Sequence, residues 1–381
     1  MNGIYLDHAA TTPVHPEVAR VYAELLTSTF GNASSIHGTG RAARKLLDDS
    51  RATVAGLIGA RPEEMIFTGG GTESDNFAIF GTAEARSDEG RHIITTGIEH
   101  HAVLNACKRL EKRGFEVTWL PVDREGRVSP DDVKDALRED TILVTIMAAN
   151  NEVGTIQPIR EIGEILKGHS ATFHTDAVQA FGEIPVDVKE FGVDLLSASA
   201  HKINGPKGIG FLYQRNGTKI VPPTSGGEQE RKRRAGTENV PGIAAFAKAA
   251  EIAQESLAER RERHEAFKQI MTGILKETGT AFSVNADRAE TLPNILNLSF
   301  PGTDIESLLV NLDLAGIHVS SGSACTAGSI DPSHVLVAMH GESAEELRNS
   351  VRFSFGYGLS EEDIRSAAEK TAAVVRRLAG Q

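Results

Sequence analysis

Ser197-Ala198-Ser199-Ala200-His201-Lys202-Ile203-Asn204-Gly205-Pro206-Lys207-Gly208-Ile209-Gly210 is the stretch around which this chain is organised. An apolar run at 193–196 leads into small and polar residues, then a lysine, then a Gly/Pro turn. A second apolar run follows at 209–213. A lysine between two strands sits against rigid backbone, partly out of water. Desolvation disfavours its ammonium form and makes the neutral amine available as a nucleophile, for example in a Schiff base with an aldehyde. The segment alone also suits an exposed lysine in a hairpin turn.

On either side the pattern alternates. Strands are expected at 64–68, 92–95, 115–120, 141–147, 172–175 and 194–197. Helices are expected between them, opening at Gly69–71 and at 101–113, 130–137 and 159–166. Two helices, 17–29 and 41–58, precede this alternation, which predicts a mainly parallel sheet with helices on both faces. One long helix, 241–278, bridges to an α+β part. There the pattern predicts a strand at 295–300, a helix at 305–314, a strand at 351–355 and a helix at 361–378. The 381 residues have room for two cores. The expected division is a large cofactor-binding domain at 15–255 and a small domain, 1–14 with 256–381, that carries a cysteine loop.

The net charge of −12 argues against a nucleic-acid or membrane-surface binder. Two cysteines, Cys107 and Cys325, make neither a disulfide framework nor a zinc set. The first residues lack a signal peptide's basic start and apolar core, and no apolar run approaches a membrane span. A cytoplasmic protein is expected.

Gly69-Gly70-Gly71 between a strand and a helix offers bare N–H groups at a positive helix end, which suits a phosphate as well as a simple tight turn. His174 and Asp176 share a strand face. They could form part of a metal pair, though further ligands are missing. Asp176 could instead cap a helix, or face the pyridinium nitrogen of pyridoxal phosphate (PLP) and keep it protonated. His100, after another strand, could stack on a flat ring or move protons. His15, His37, His264 and His334 read as ordinary polar loop residues, and Arg231-Lys232-Arg233-Arg234 as a solvated loop. Cys325 lies in the small-residue run 320–329, unlike a core cysteine, and suits a mobile thiol. Cys107, beside Leu104 and Leu110, reads as buried and inert.

Together these residues carry a resemblance. Ser-Ala-Ser-Ala-His201-Lys202 with Gly-Pro-Lys-Gly, His174-Thr-Asp176-Ala-Val-Gln179, Thr72-Glu-Ser-Asp-Asn, Glu99-His100, Asn150-Asn151-Glu152 and Ser-Ser-Gly-Ser-Ala-Cys325 resemble the cysteine desulfurases of the NifS/IscS type. These are PLP enzymes of the aminotransferase class V group. The similarity runs from Leu6-Asp7-His8 to Arg352-Phe353-Ser354.

The resemblance implies a PLP-transferase-like large domain and a transferase acting on L-cysteine. Alanine would be the product, and a persulfide would form on Cys325. Catalytic roles fall to Lys202, His100 and Cys325. Lys202 would hold PLP, Asp176 would face its ring nitrogen, Gln179 its ring hydroxyl oxygen, and His100 would stack on the ring. Thr72, Ser199, His201 and the Gly71 backbone would hold the phosphate. Thr237, in Arg234-Ala-Gly-Thr237, would reach it from the partner subunit of a homodimer. Asn151 and Arg352 would meet the substrate carboxylate. No metal is implied. The sulfur acceptor would be an iron–sulfur scaffold or a tRNA-thiolating enzyme.

Phe353-Ser-Phe-Gly-Tyr357 departs from relatives that carry Leu before this glycine and Arg after it. The segment after the last helix is also shorter than the scaffold-docking tail of some relatives. The alternatives are a selenocysteine lyase or an aminotransferase on the same fold, or a non-catalytic sulfur-relay protein.

Overall fold

A computed structural model describes residues 3–321 and 332–380. Seven strands form the central sheet. From one edge they run Met65–Thr68, Gly210–Gln214, Leu195–Ser199, Thr172–Asp176, Thr141–Thr145, His92–Thr96 and Glu116–Leu120. All neighbours are parallel except around Gly210–Gln214, which is antiparallel to both its partners. The reason is local. The ten residues between Ser199 and Gly210 are too few for a crossover helix, so the chain doubles back as a hairpin. The four strands between this one and the Glu116–Leu120 edge are buried throughout, as expected where helices cover both faces.

This direction pattern positions the site. The chain leaves Met65–Thr68, His92–Thr96, Thr141–Thr145, Thr172–Asp176 and Leu195–Ser199 at one end of the sheet, and the reversed strand Gly210–Gln214 begins there. Carboxyl ends of parallel strands are where open α/β sheets bind ligands. Below that end, Phe181, Phe211 and Phe246 pack with ring centroids 5.4–6.1 Å apart.

A second core holds Leu6, Phe267, Phe300, Phe353 and Phe355. Fully burying side chains of this size contributes about 1.5–3 kcal/mol each. It is built on the antiparallel strands Ser350–Ser354, Ile295–Ser299 and Ser283–Val284, with a small parallel pair, Ile4–Tyr5 and Ile317–His318. Helices Leu257–Glu277, Ile305–Leu314 and Glu361–Leu378 cover it. The last of these opens with a capping box between Ser360 and Asp363.

Three expectations need correction. The long bridging helix is two helices, Val240–Glu255 and Leu257–Glu277. Ser256 separates them, its hydroxyl donating to the Ile252 carbonyl at 2.7 Å. Such a bond competes with the helical ladder. His264 is not a loop residue but is buried inside the second of these helices. The basic run is only partly solvated. Glu230 just before it is buried on Arg51 (2.6 and 2.7 Å), and Glu230, Arg231 and Lys232 have φ of 48°, 59° and 68°. Among the described residues, no helix is long and apolar enough to cross a membrane.

Candidate active site

A cavity of about 750 Å³ opens at the carboxyl end of the large sheet. Gly71, Thr72, His100, Asn151, Asp176, Gln179, Ser199, His201, Lys202 and Arg352 all line it. Thr237 does not. It lines a small adjoining cleft that shares Gly69 and Gly208 with the cavity. Cys325 lies outside the described residues.

Lys202 ends a single 3-10 turn, Ala200–Lys202, that follows the strand Leu195–Ser199. Two anchors fix this turn: Thr12 Oγ1 donates to the His201 carbonyl and accepts the Asn204 N–H. The Lys202 ammonium donates to the carbonyls of Ala9 and Ala10. Burial, and secondarily the Arg352 charge, lower its pKa to about 8, against the pull of Asp176 and Asp7. The lysine is thus within reach of its neutral, nucleophilic form near neutral pH.

Asp176 is the last residue of its strand. One carboxylate oxygen accepts the Val178 N–H at 2.8 Å. Burial raises its pKa, while His100, the Val178 bond and Lys202 hold it down. A buried carboxylate of this kind calls for a cationic partner. His174, two residues earlier, is fully buried, and its ring nitrogens meet Thr145 Oγ1 (2.8 Å) and Ser197 Oγ (3.0 Å). Burial drives its pKa down to about 3, so it is a neutral structural imidazole. One atom each of Asp75, His100 and Asp176 lie within 4.8 Å of one another. Burial and the neighbouring Asp176 hold the Asp75 carboxyl well above its usual range.

His100 caps the helix His101–Glu111, its Nδ1 accepting the Ala102 N–H at 3.2 Å. The neutral ring therefore carries its proton on Nε2. Burial lowers the imidazole pKa.

The glycine turn meets the cavity as the helix Gly71–Ala85 begins, with no side chain capping that end. Gly70 has φ 148°, and a Cβ on Gly71 would come within 2.6 Å of Val178 Cγ2. Bare backbone is thus a steric requirement here. Thr72 and Ser199 flank the turn, and His201 Nδ1 lies 3.2 Å from Thr11 Oγ1. Gln179 donates to the Ala9 carbonyl at 3.0 Å.

At the other side Arg352 donates to the Asn151 carbonyl and to Asp7 Oδ1, both at 2.7 Å. Its Nε and the Asn151 Oδ1 are buried without a partner among the described residues. The set fits pyridoxal phosphate: uncapped N–H groups for an anion, a carboxylate for a ring nitrogen, an imidazole and an activated amine.

Several cavity residues received no role in the reading of the sequence. Glu73 and Lys207 line it, as do Glu152 and the pair His101 and His334, whose ring centroids are 4.8 Å apart. His334, read as an ordinary polar loop residue, instead opens the helix His334–His340 and holds the Glu99 carbonyl with Nε2 at 2.9 Å, and the adjacent Ser333 donates to Glu152. Glu152 could have been found within the Asn150-Asn151-Glu152 motif. The contacts of His334 span more than 200 positions and leave no local mark.

Comparison with known proteins agrees with this geometry. The aminotransferase class-V family model matches residues 4–366. A Bacillus subtilis (strain 168) protein, provisionally named cysteine desulfurase IscS 1, is 58% identical over 99% of this chain and 100% of its own. Cysteine desulfurase IscS of Dictyoglomus turgidum (strain DSM 6724 / Z-1310) is 49% identical over 98% and 95%. A solved NifS-like protein superposes with a TM-score of 0.92 at 38% identity, covering 99% of this chain and 100% of that one. The chain belongs to the aminotransferase class-V family and, within it, to the cysteine desulfurases of the IscS and NifS-like type.

Proposed function

We propose that this desulfurase converts L-cysteine and the Cys325 thiol into L-alanine and a Cys325 persulfide. The observation that carries the reading is one cavity holding an amine with a pKa of about 8, a buried carboxylate and a helix N-terminus at Gly70 that no side chain caps. Bound pyridoxal phosphate supplies the electron sink for the substrate α-carbon. Lys202 would hold its aldehyde and would also serve as the base for the substrate α-proton. Asp176 keeps the ring nitrogen protonated, Gln179 faces the ring hydroxyl oxygen, and the Nε2–H side of His100 is available for proton transfer. Gly71, Thr72, Ser199 and His201 hold the phosphate. Asn151 and Arg352 take the substrate carboxylate, for which the Arg352 Nε–H is a donor without a partner among the described residues. The Cys325 thiolate attacks the substrate sulfur. The C–S bond breaks, an S–S bond forms, and the carbon side gains the proton that the thiol lost.

Incubation of the purified protein with L-cysteine, scoring alanine and protein-bound sulfane sulfur together, is the test. Equal amounts of both are expected. Alanine dependent on added pyruvate, or turnover of selenocysteine alone, would instead favour the aminotransferase or lyase reading.

We also infer a homodimer. Phe30 and Ile36 are 78% and 91% exposed, large apolar surfaces that a second copy would cover. Thr237 belongs to the partner's phosphate site in this reading, in keeping with its place outside the cavity of its own chain. The division into domains at 15–255 and at 1–14 with 256–381 draws support from the two cores, since Leu6 packs with Phe267 and Phe353 in the second and Val18 with Phe246 in the first, while Ala9, Leu292 and Ile295 join the first core across that boundary. The onward acceptor is an iron–sulfur scaffold or a tRNA-thiolating enzyme, and a cytoplasmic location fits a chain of only two cysteines.

A further inference from the structure

Glu73 stands in the first turn of the helix Gly71–Ala85 and lines the cavity. Its Oε2 accepts the N–H of Gly69 at 2.7 Å, and its Oε1 accepts the Arg234 Nε at 2.8 Å. A third bond joins Arg234 Nη2 to Oε2 at 3.2 Å. Glycines 69–71 have no side chains with which to hold their own conformation, and this carboxylate is a side chain that grips the turn. It is also a negative charge beside the seat proposed for a phosphate. Unneutralised, it would repel the dianion and compete with it for the positive helix end.

Arg234 removes that charge conflict. It arrives on a backbone of unusual shape, since residues 230–232 lie in the left-handed region that non-glycine residues rarely adopt. The buried Arg51–Glu230 pair, with Glu230 also accepting the Phe67 N–H, holds that segment to the strand Met65–Thr68. Three residues beyond Arg234 lies Thr237, in the cleft that shares Gly69 with the cavity.

We propose that the Glu73–Arg234 pair is a positioning device that presets the glycine turn for the cofactor phosphate and ties it to the segment bearing Thr237. This rests on the pyridoxal phosphate reading above. Neither residue is a catalytic residue, because both act through the turn.

The test measures binding to the apo-protein by absorbance, with pyridoxal phosphate and with pyridoxal, which lacks the phosphate. Arg234→Ala should weaken pyridoxal phosphate binding at least tenfold and leave pyridoxal binding within twofold. Arg234→Lys, keeping the charge without the fork, should fall between. Glu73→Gln should cost less than Arg234→Ala, since its amide oxygen can still accept from Gly69. The double variant Glu73→Gln/Arg234→Ala should bind pyridoxal phosphate better than Arg234→Ala alone. The inference is overturned if Arg234→Ala binds pyridoxal phosphate like wild type, if pyridoxal weakens equally, or if removing the Glu73 charge gives no rescue. Wild-type protein that binds neither compound would sink the cofactor reading itself, so the two failures are distinguishable. An unchanged thermal midpoint for Glu73→Gln keeps the rescue arm independent of misfolding.

Discussion

The Nζ of Lys202 lies 2.9 Å from the carbonyl oxygen of Ala10, across 192 positions of sequence. Burial and the Arg352 charge oppose the ammonium form, Asp176 and Asp7 favour it, and the opposing effects win, leaving the pKa at about 8. The amine is therefore mostly protonated below pH 8 and mostly neutral above it. Only the neutral amine adds to an aldehyde, so the rate at which apo-protein takes up pyridoxal phosphate should rise to about pH 8 and then flatten. An ordinary lysine would keep rising to about pH 10.4. Stopped-flow absorbance at a series of pH values gives the profile. A rise continuing to pH 10 would show that the lysine is not perturbed. Lys202→Ala should lose the yellow colour and at least roughly 1000-fold in turnover.

Asp176→Asn keeps the shape and the Val178 contact but removes the charge. Exchange of the α-hydrogen of bound cysteine or alanine with deuterated water should slow by roughly 100-fold or more, because the ring nitrogen loses its anionic partner. Mass spectrometry of recovered alanine reads this directly. Wild-type exchange would remove Asp176 from the ring.

Arg352 has a rival for the substrate in Asp7, which already takes Nη2. Arg352→Lys should raise KM for cysteine roughly 10–100-fold, the worth of a charge-assisted hydrogen bond. Asp7→Asn should leave KM unchanged or lower it, since it withdraws the competing carboxylate. An unaltered KM in Arg352→Lys would mean that the guanidinium serves the fold alone.

The two cysteines should separate cleanly. Burial pushes the Cys107 thiol far up and leaves it fully enclosed, so Cys107→Ala should keep wild-type activity and lose only the stability of a small cavity, about 1 kcal/mol. Cys325→Ala should bind cofactor and cysteine but release no alanine. After incubation with cysteine, an added mass of about 32 Da, one sulfur atom, should map to the Cys325 peptide of the wild type. The same adduct on Cys107 would overturn the assignment.

Much of this was legible in the sequence because the signals were local. Ile159–Leu166 and Glu361–Leu378 carry a helical apolar pattern that Ser360 and Asp363 reinforce in the second, and both helices have the expected bounds. Asp176 was legible as a carboxylate at a strand end because the expected strand 172–175 stops beside it, while its role toward the ring came only from the resemblance. The break at Ser256 was not, since a serine inside a helical pattern signals neither start nor stop until its hydroxyl finds the Ile252 carbonyl. The lining roles of Glu73, Glu152 and His334 come from contacts with Arg234, Ser333 and the Glu99 carbonyl, each set by the fold rather than by spacing.

The opening residues of the chain have a consequence for biosynthesis. Asp7 reaches Arg352, Ala9 and Ala10 reach Lys202, and Thr12 reaches Asn204. The ribosome makes Asp7 345 positions before its partner Arg352. At roughly 5–20 residues per second, the wall of the cavity stays open for much of a minute. The wall is complete only once the strand Ser350–Ser354 has been made, and a nascent chain halted before it lacks the Asp7–Arg352 side of the site.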